Sequence, residues 1–225
     1  LCGECANICN FNALAFLGLT VVVYPELCHG CYMCSDLCSE NALPMMDDRI
    51  GEIIKRRVFL SGISDPIVSI ESRLDIGREM PTPMITRTLV YMQKHMHDED
   101  IILLDSPPGT SCSMIEAVSA ADLVLLVTEP TKFGLNDLKL AIETLRKVSV
   151  EFAVVINKHI PGQSLIEDYC DAQNISIASK IPHLLSVARM YASGKLMYRE
   201  IPEMREALKH IYDFLNQNFD NRWKK

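Results

Sequence analysis

The sequence predicts an α/β protein, a mostly parallel sheet with flanking helices, joined to a small α+β module rich in cysteine. Two observations lead to this reading. From Ile101 onward, short apolar runs alternate with helical patterns, and seven of the nine cysteines fall within the first 38 of 225 positions. A third bounds it: with 48% hydrophobic and 23% charged residues the chain can bury one large core plus a small one. The expected division is residues 1–50 for the cysteine module and 51–225 for the α/β domain.

The module is an internal repeat. Cys2, Cys5, Cys9, Asn12, Ala13 and Leu14 recur, shifted by 29 positions, as Cys31, Cys34, Cys38, Asn41, Ala42 and Leu43. The second copy carries one more cysteine, Cys28, and so has the full CxxCxxCxxxC spacing. The counterpart of Cys28 in the first copy would precede Leu1, so the repeat predicts a missing cysteine upstream and an N-terminally truncated sequence. Short CxxC turns aim backbone amides at bridging sulfides while three thiolates face one cluster, and the fourth thiolate of each run reaches the other cluster.

This pattern resembles the bacterial two-cluster ferredoxins over residues 1–50. The resemblance implies two four-iron, four-sulfur clusters (4Fe-4S) with crossed ligation: Cys28, Cys31, Cys34 and Cys9 for one, and Cys2, Cys5 and Cys38 plus the absent cysteine for the other. Asn10 and Ser39 stand where such ferredoxins place proline, which bears on the local turn and the potential more than on ligation. Paired CxxC turns also build tetrahedral zinc sites, but seven interleaved cysteines fit zinc poorly. His29, inside the second run, reads as an exposed loop histidine, because four cysteines leave it no coordination position. Thr20 to Tyr24 reads as a short strand, and Ile50 to Leu60 as the return to the main domain.

In the remainder, Pro83 to Met96 looks helical, with Pro81 and Pro83 at its start. Buried strands are expected at Ile101 to Leu104, Leu123 to Thr128, Phe152 to Ile156 and Ile175 to Ala178. Helices are expected at Ser113 to Ala120, Leu135 to Val148, Ser164 to Gln173, Leu184 to Ser193 and Glu203 to Asn216. Leu138, Ile142 and Leu145 form one apolar stripe. Strand–helix alternation of this kind gives a parallel sheet. Cys112 and Cys170 read as small buried apolar residues, His95 to Asp100 as a solvated turn, and methionines such as Met45, Met46, Met80 and Met84 mostly as core fillers.

The segment IILLDSPPGT puts Asp105 at the carboxyl end of an apolar run, followed by Pro107, Pro108 and Gly109. Ligands of open α/β sheets gather at that end. A carboxylate there can hold the water shell of a nucleotide-bound magnesium, and a glycine lets a backbone amide approach a phosphate. Together with ADLVLLVTEPTKFGLNDL at 121–138, VVINKH at 154–159 and IPHLLSVA at 181–188, this segment resembles the MinD and Mrp branch of P-loop ATPases. More narrowly, it resembles the subfamily with a ferredoxin module inserted into a MinD-type ATPase. The resemblance implies ATP and Mg2+ as cofactors. It makes Asp105 the catalytic, magnesium-side aspartate, Pro108 and Gly109 part of the switch facing the γ-phosphate, Asn157 the adenine reader, and Pro182 part of the loop beside the base.

No GxxxxGKS or GxxxxGKT motif occurs, and Gly194-Lys195 lacks the glycine that would have to lie five positions earlier. The resemblance places that loop and its strand ahead of the ferredoxin insert. The chain as given is therefore expected to lack useful ATPase activity, the intact protein to possess it, and the sheet to carry a gap or exposed edge.

A net charge of −7 and pI near 5.4, with no Lys/Arg cluster, argue against a nucleic-acid partner. No apolar run approaches the roughly 18 residues of a membrane span. Metal-spaced cysteines in an acidic chain point to a reducing cytoplasm. The leading functional expectation is an iron–sulfur, ATP-binding protein that couples ATP binding and hydrolysis to electron transfer toward a redox partner, with an ATP-dependent homodimer as a further expectation. One alternative is an Mrp-type cluster carrier or assembly ATPase that delivers clusters to an apo-acceptor. The other is a ferredoxin interaction module on a non-catalytic nucleotide-binding scaffold.

Overall fold

A computed structural model describes residues 2–60, 64–78, 80–96 and 101–219. The chain divides into two compact units, 1–97 and 98–225.

The first unit opens with helix α1 (Glu4–Ile8), the antiparallel pair β1 (Leu14–Phe16) and β2 (Val21–Val23), a 3-10 turn at Pro25–Leu27, and helix α2 (Met33–Asp36). The β1–β2 turn needs the left-handed Gly18 at φ 71°, and Leu17 N–H closes it on Thr20 O at 2.9 Å. Gly3, at φ 77°, lies so close to the Phe16 ring that a Cβ would collide with it. The expected strand at Thr20 to Tyr24 is β2. Ile50 to Leu60, read as a plain return of the chain, instead contains β3 (Gly51–Val58), paired antiparallel with β4 (Ile67–Leu74). Arg56 and Arg73 both reach Glu71 at 2.6 Å across the face of this ribbon, while Arg49 grips Asp75 and Arg78 grips Asp48. These pairs are exposed and each contributes little. Helix α3 (Pro81–His95) follows, with Pro81 and Pro83 in its first turn, and Met84 and Met92 buried.

The second unit holds α4 (Cys112–Val118), β5 (Val124–Thr128), α5 (Lys132–Val148), β6 (Phe152–His159), α6 (Leu165–Ala172), β7 (Ile177–Pro182), α7 (Leu185–Ala192), α8 (Met197–Glu200) and α9 (Pro202–Phe219). The sheet is parallel, in the order β5-β6-β7. Alternation along β6 splits the core between its two faces. Val154 and Ile156 pack with Leu138 and Ile142 of α5 and Ile166 and Cys170 of α6, whereas Ala153 and Val155 pack with Ala178 of β7 and Ile211 and Phe214 of α9. The predicted stripe of Leu138, Ile142 and Leu145 is buried along α5. Thr131 caps that helix by accepting a hydrogen bond from Gly134 N–H at 2.9 Å, so it starts three residues before the expected Leu135. Cys170 is core, and burial, with Asp171 and Glu167 nearby, pushes its thiol up to about 11.

Two expectations fail here. Ile101 to Leu104 forms no strand: the run belongs to no ladder, and Leu103 is 84% exposed. Apolar, β-prone residues make a strand only when a neighbour takes up their N–H and C=O groups. Among the described residues β5 pairs with β6 alone and is the edge of the sheet, with Val127 64% exposed. Cys112 is exposed instead of buried, because it opens α4 and the following Ser113, Met114, Ala117 and Val118 face inward. Of the expected turn at His95 to Asp100, His95 closes α3 with its ring stacked on Tyr91, and positions 97–100 lie outside the described residues. Met84 is buried as expected, while Met45 and Met46 are exposed.

Candidate functional site

In the cysteine module the two sequence copies fold alike. Asn12 and Asn41, 29 positions apart, both take left-handed backbone, at φ 54° and 48°. Asn12 N–H bonds Cys9 O at 3.2 Å and Asn41 N–H bonds Cys38 O at 3.0 Å. The next amides, of Ala13 and Ala42, then donate to the Cys9 and Cys38 sulfurs, each at 3.3 Å. Asparagine suits this position because its short polar side chain tolerates the left-handed region. The copies also meet: the Phe11 ring stacks on the exposed His29 with centroids 3.7 Å apart and planes 13° from parallel.

Cys2 and Cys5 from the first copy and Cys34 and Cys38 from the second line one cleft of about 30 Å³. The cleft thus brings the two copies face to face. Cys2, Cys5 and Cys38 belong to one expected ligand set and Cys34 to the other. Burial and the nearby Cys28 push the Cys34 thiol up, against the opposing backbone N–H groups of Cys34 and Ser35. None of the seven cysteines of the module is in a disulfide. The donor set therefore fits an iron–sulfur group in kind. In position, however, no group of three or more His, Cys, Asp or Glu side chains among the described residues is drawn together to hold one metal ion.

The second cluster of expected site residues lies in the α/β unit. Asn157 sits near the carboxyl end of β6 and Pro182 ends β7, and His159 pairs with Pro182 in the ladder. The structure thus brings these two to neighbouring strand ends. The β6–β7 register is irregular between Ile156 and His159, where Lys158 adopts φ 52° and its N–H bonds Asn157 Oδ1 at 3.0 Å. Bulges of this kind re-aim side chains. Asp105, Pro108 and Gly109 are exposed on a segment outside the sheet, and Gly109 takes φ 90°. Among the described residues the Asp105 carboxylate has no hydrogen bond or ion pair, and no such contact ties it to Asn157 or Pro182.

Sequence reading did not single out the ion pairs beside Asn157. Lys158 Nζ meets Glu129 Oε1 at 2.6 Å, both exposed. Glu167, on α6, is only 14% exposed, and its Oε1 takes His159 Nε2 at 3.0 Å and Lys180 Nζ at 3.1 Å. Its Oε2 is buried without a hydrogen-bond partner. Burial works to raise this carboxyl's pKa, but the Glu167 backbone N–H, Lys180 and His159 outweigh it and hold it below the usual range.

No protein-family model matches the chain. Two uncharacterized proteins of Methanocaldococcus jannaschii are similar to it. MJ0579 is 26% identical over 210 residues, covering 93% of this chain and 70% of that protein, and MJ0578 is 29% identical over 219, covering 96% and 71%. Among solved structures, the MinD cell division protein of Aquifex aeolicus superposes with a TM-score of 0.52 at 20% identity, covering 61% of each chain. The fold is MinD-like. The cell division ATPase MinD of Pyrococcus furiosus gives 0.51 at 18% identity, covering 64% of this chain and 63% of that one. The Aquifex aeolicus MinC:MinD complex gives 0.52 at 20%, covering 61% and 60%. This chain thus spans less than two thirds of the MinD chains it resembles. No helix among the described residues is long and apolar enough to cross a membrane.

Proposed function

We propose that the chain is part of a cytoplasmic iron–sulfur, nucleotide-binding protein in which ATP binding and hydrolysis are coupled to electron transfer through two 4Fe-4S clusters. The observation that carries this reading is the repetition, in backbone and not only in sequence, of one cysteine turn 29 positions apart in a chain of MinD-like fold. Two copies that aim an amide at the fourth cysteine's sulfur suit thiolate ligands, whose charge such donors stabilise.

On this reading residues 1–50 are the ferredoxin-like module and 51–225 the nucleotide-binding domain. Cys9, Cys28, Cys31 and Cys34 hold one cluster, and Cys2, Cys5 and Cys38 contribute to the other. Bound clusters supply one-electron transfer. Asp105 holds the water shell of Mg2+, Pro108 and Gly109 face the terminal phosphate, Asn157 reads the base, and Pro182 borders it. Anaerobically prepared full-length protein should contain iron and acid-labile sulfide, and once reduced with dithionite it should pass electrons to a viologen dye at a rate that depends on MgATP. Metal-free protein, or equal rates with and without nucleotide, would overturn the proposal.

The exposure of Cys2 and Cys31 favours a second reading, a cluster carrier whose clusters are cargo. It predicts that reconstituted protein activates an apo-ferredoxin and loses its own iron in doing so. Clusters that cycle reversibly and stay bound decide against it.

A further inference from the structure

We propose that Glu167 is a positioning residue for purine-base selection: through His159 and Lys180 it ties the ends of β6 and β7 together and fixes Asn157 against Pro182. The inference rests on the nucleotide-binding reading above and deepens it.

The region it acts on is irregular by construction. β6 leaves regular register between Ile156 and His159, Lys158 is left-handed, and the base-reading candidate Asn157 stands inside this bulge. Locally the bulge is held by one hydrogen bond, from Lys158 N–H to Asn157 Oδ1 at 3.0 Å, set against the cost of a left-handed lysine, so support from outside the bulge fixes where Asn157 stands. Support comes from both flanks. Lys158 pairs with Glu129 from the loop after β5, but both side chains are exposed and such pairs are weak. His159 pairs with Glu167, where both side chains are largely buried. The same Oε1 atom takes Lys180 from β7, so a single oxygen anchored on α6 links two adjacent strands. Two residues beyond Lys180, Pro182 pairs with His159, and His183 N–H bonds His159 O at 3.0 Å. The clamp therefore brackets the strand ends that carry Asn157 and Pro182.

Stability alone is a poor reason for this carboxylate. Its Oε2 is buried and unpaired, a cost that an apolar side chain of similar size would avoid. Buried unsatisfied atoms of this kind call for a functional account, and geometric control of the base-reading bulge supplies one.

The test is calorimetric titration of the full-length protein with MgATP and MgGTP, read as the ratio of the two affinities. Glu167→Gln removes the charge at nearly constant shape. His159→Leu cuts the same tie from the β6 side and leaves Glu167 paired with Lys180, so it serves if the first variant does not fold. Wild type should prefer one purine, and each folded variant should lose about fivefold of that preference, the size of one net hydrogen bond. A merely structural role would weaken both nucleotides equally and leave the ratio unchanged, which would overturn the positioning role while leaving nucleotide binding intact. Wild-type protein that binds both nucleotides alike would overturn this inference and leave the nucleotide reading standing, whereas wild-type protein that binds neither would remove both.

Discussion

Nε2 of His159 lies 3.0 Å from Oε1 of Glu167, joining the end of β6 to the helix that follows it. This contact, with Lys180 on the same oxygen, keeps the Glu167 carboxyl below its usual pKa despite burial. The folded state therefore holds the carboxylate more firmly ionised than the unfolded chain does. Its contribution is present above the unfolded value, about 4.3, and is lost as pH falls through the lower folded value. Thermal melts from pH 7 down to about 3 should show wild type losing an advantage over Glu167→Gln, with the two curves converging at the acid end. A gap that stays constant across that range would mean the carboxylate does not titrate as described.

Thr131 accepts from Gly134 N–H and begins α5, the helix that supplies Leu138, Ile142 and Leu145 to the core. Thr131→Ala should cost about 1 kcal/mol in urea denaturation, and Thr131→Ser much less. Equal losses from both would show that the methyl group, not the hydroxyl, matters there.

Asn12 and Asn41 hold left-handed backbone beside cysteines. Asn12→Val should destabilise by about 1–2 kcal/mol, since a branched side chain resists that region, and Asn12→Gly should be tolerated. Thermal melts of the metal-free chain measure this without reference to any cofactor.

Crossed ligation makes a pairing prediction that spacing within one motif would not. Cys9→Ser and Cys28→Ser should abolish the same cluster signal in electron paramagnetic resonance, although the residues belong to different copies, and Cys38→Ser should affect the other. If Cys9→Ser instead affects the cluster that depends on Cys2 and Cys5, ligation is not crossed.

Much of the α/β unit was legible because its signals are local. Phe152 to Ile156 is continuously apolar, and Leu138, Ile142 and Leu145 recur at helical spacing, so strand and helix follow from neighbouring residues. Ile101 to Leu104 has the same local signature yet forms no ladder, since pairing depends on another segment. The β3–β4 ribbon was missed for the opposite reason. Lys55, Arg56 and Arg57 make β3 look like loop, and its organisation comes from cross-strand pairing and from Glu71, fifteen positions after Arg56. At the candidate site, Asn157 and Pro182 stand in recognisable motifs. Glu167 does not: it meets His159 from eight positions away and Lys180 from another strand, and only its place between Ile166 and Cys170 on the buried face of α6 hinted at its surroundings.

The Phe11–His29 stack has a mechanical consequence for the cysteine module. Because an aromatic ring from one copy lies flat on a ring from the other, and Cys2 and Cys5 share a cleft with Cys34 and Cys38, the halves are held together by noncovalent contacts as well as by the chain that joins them. A protease that cuts the exposed turn at Leu17 to Thr20 would sever the backbone and still leave two fragments that travel together, parting only under denaturant.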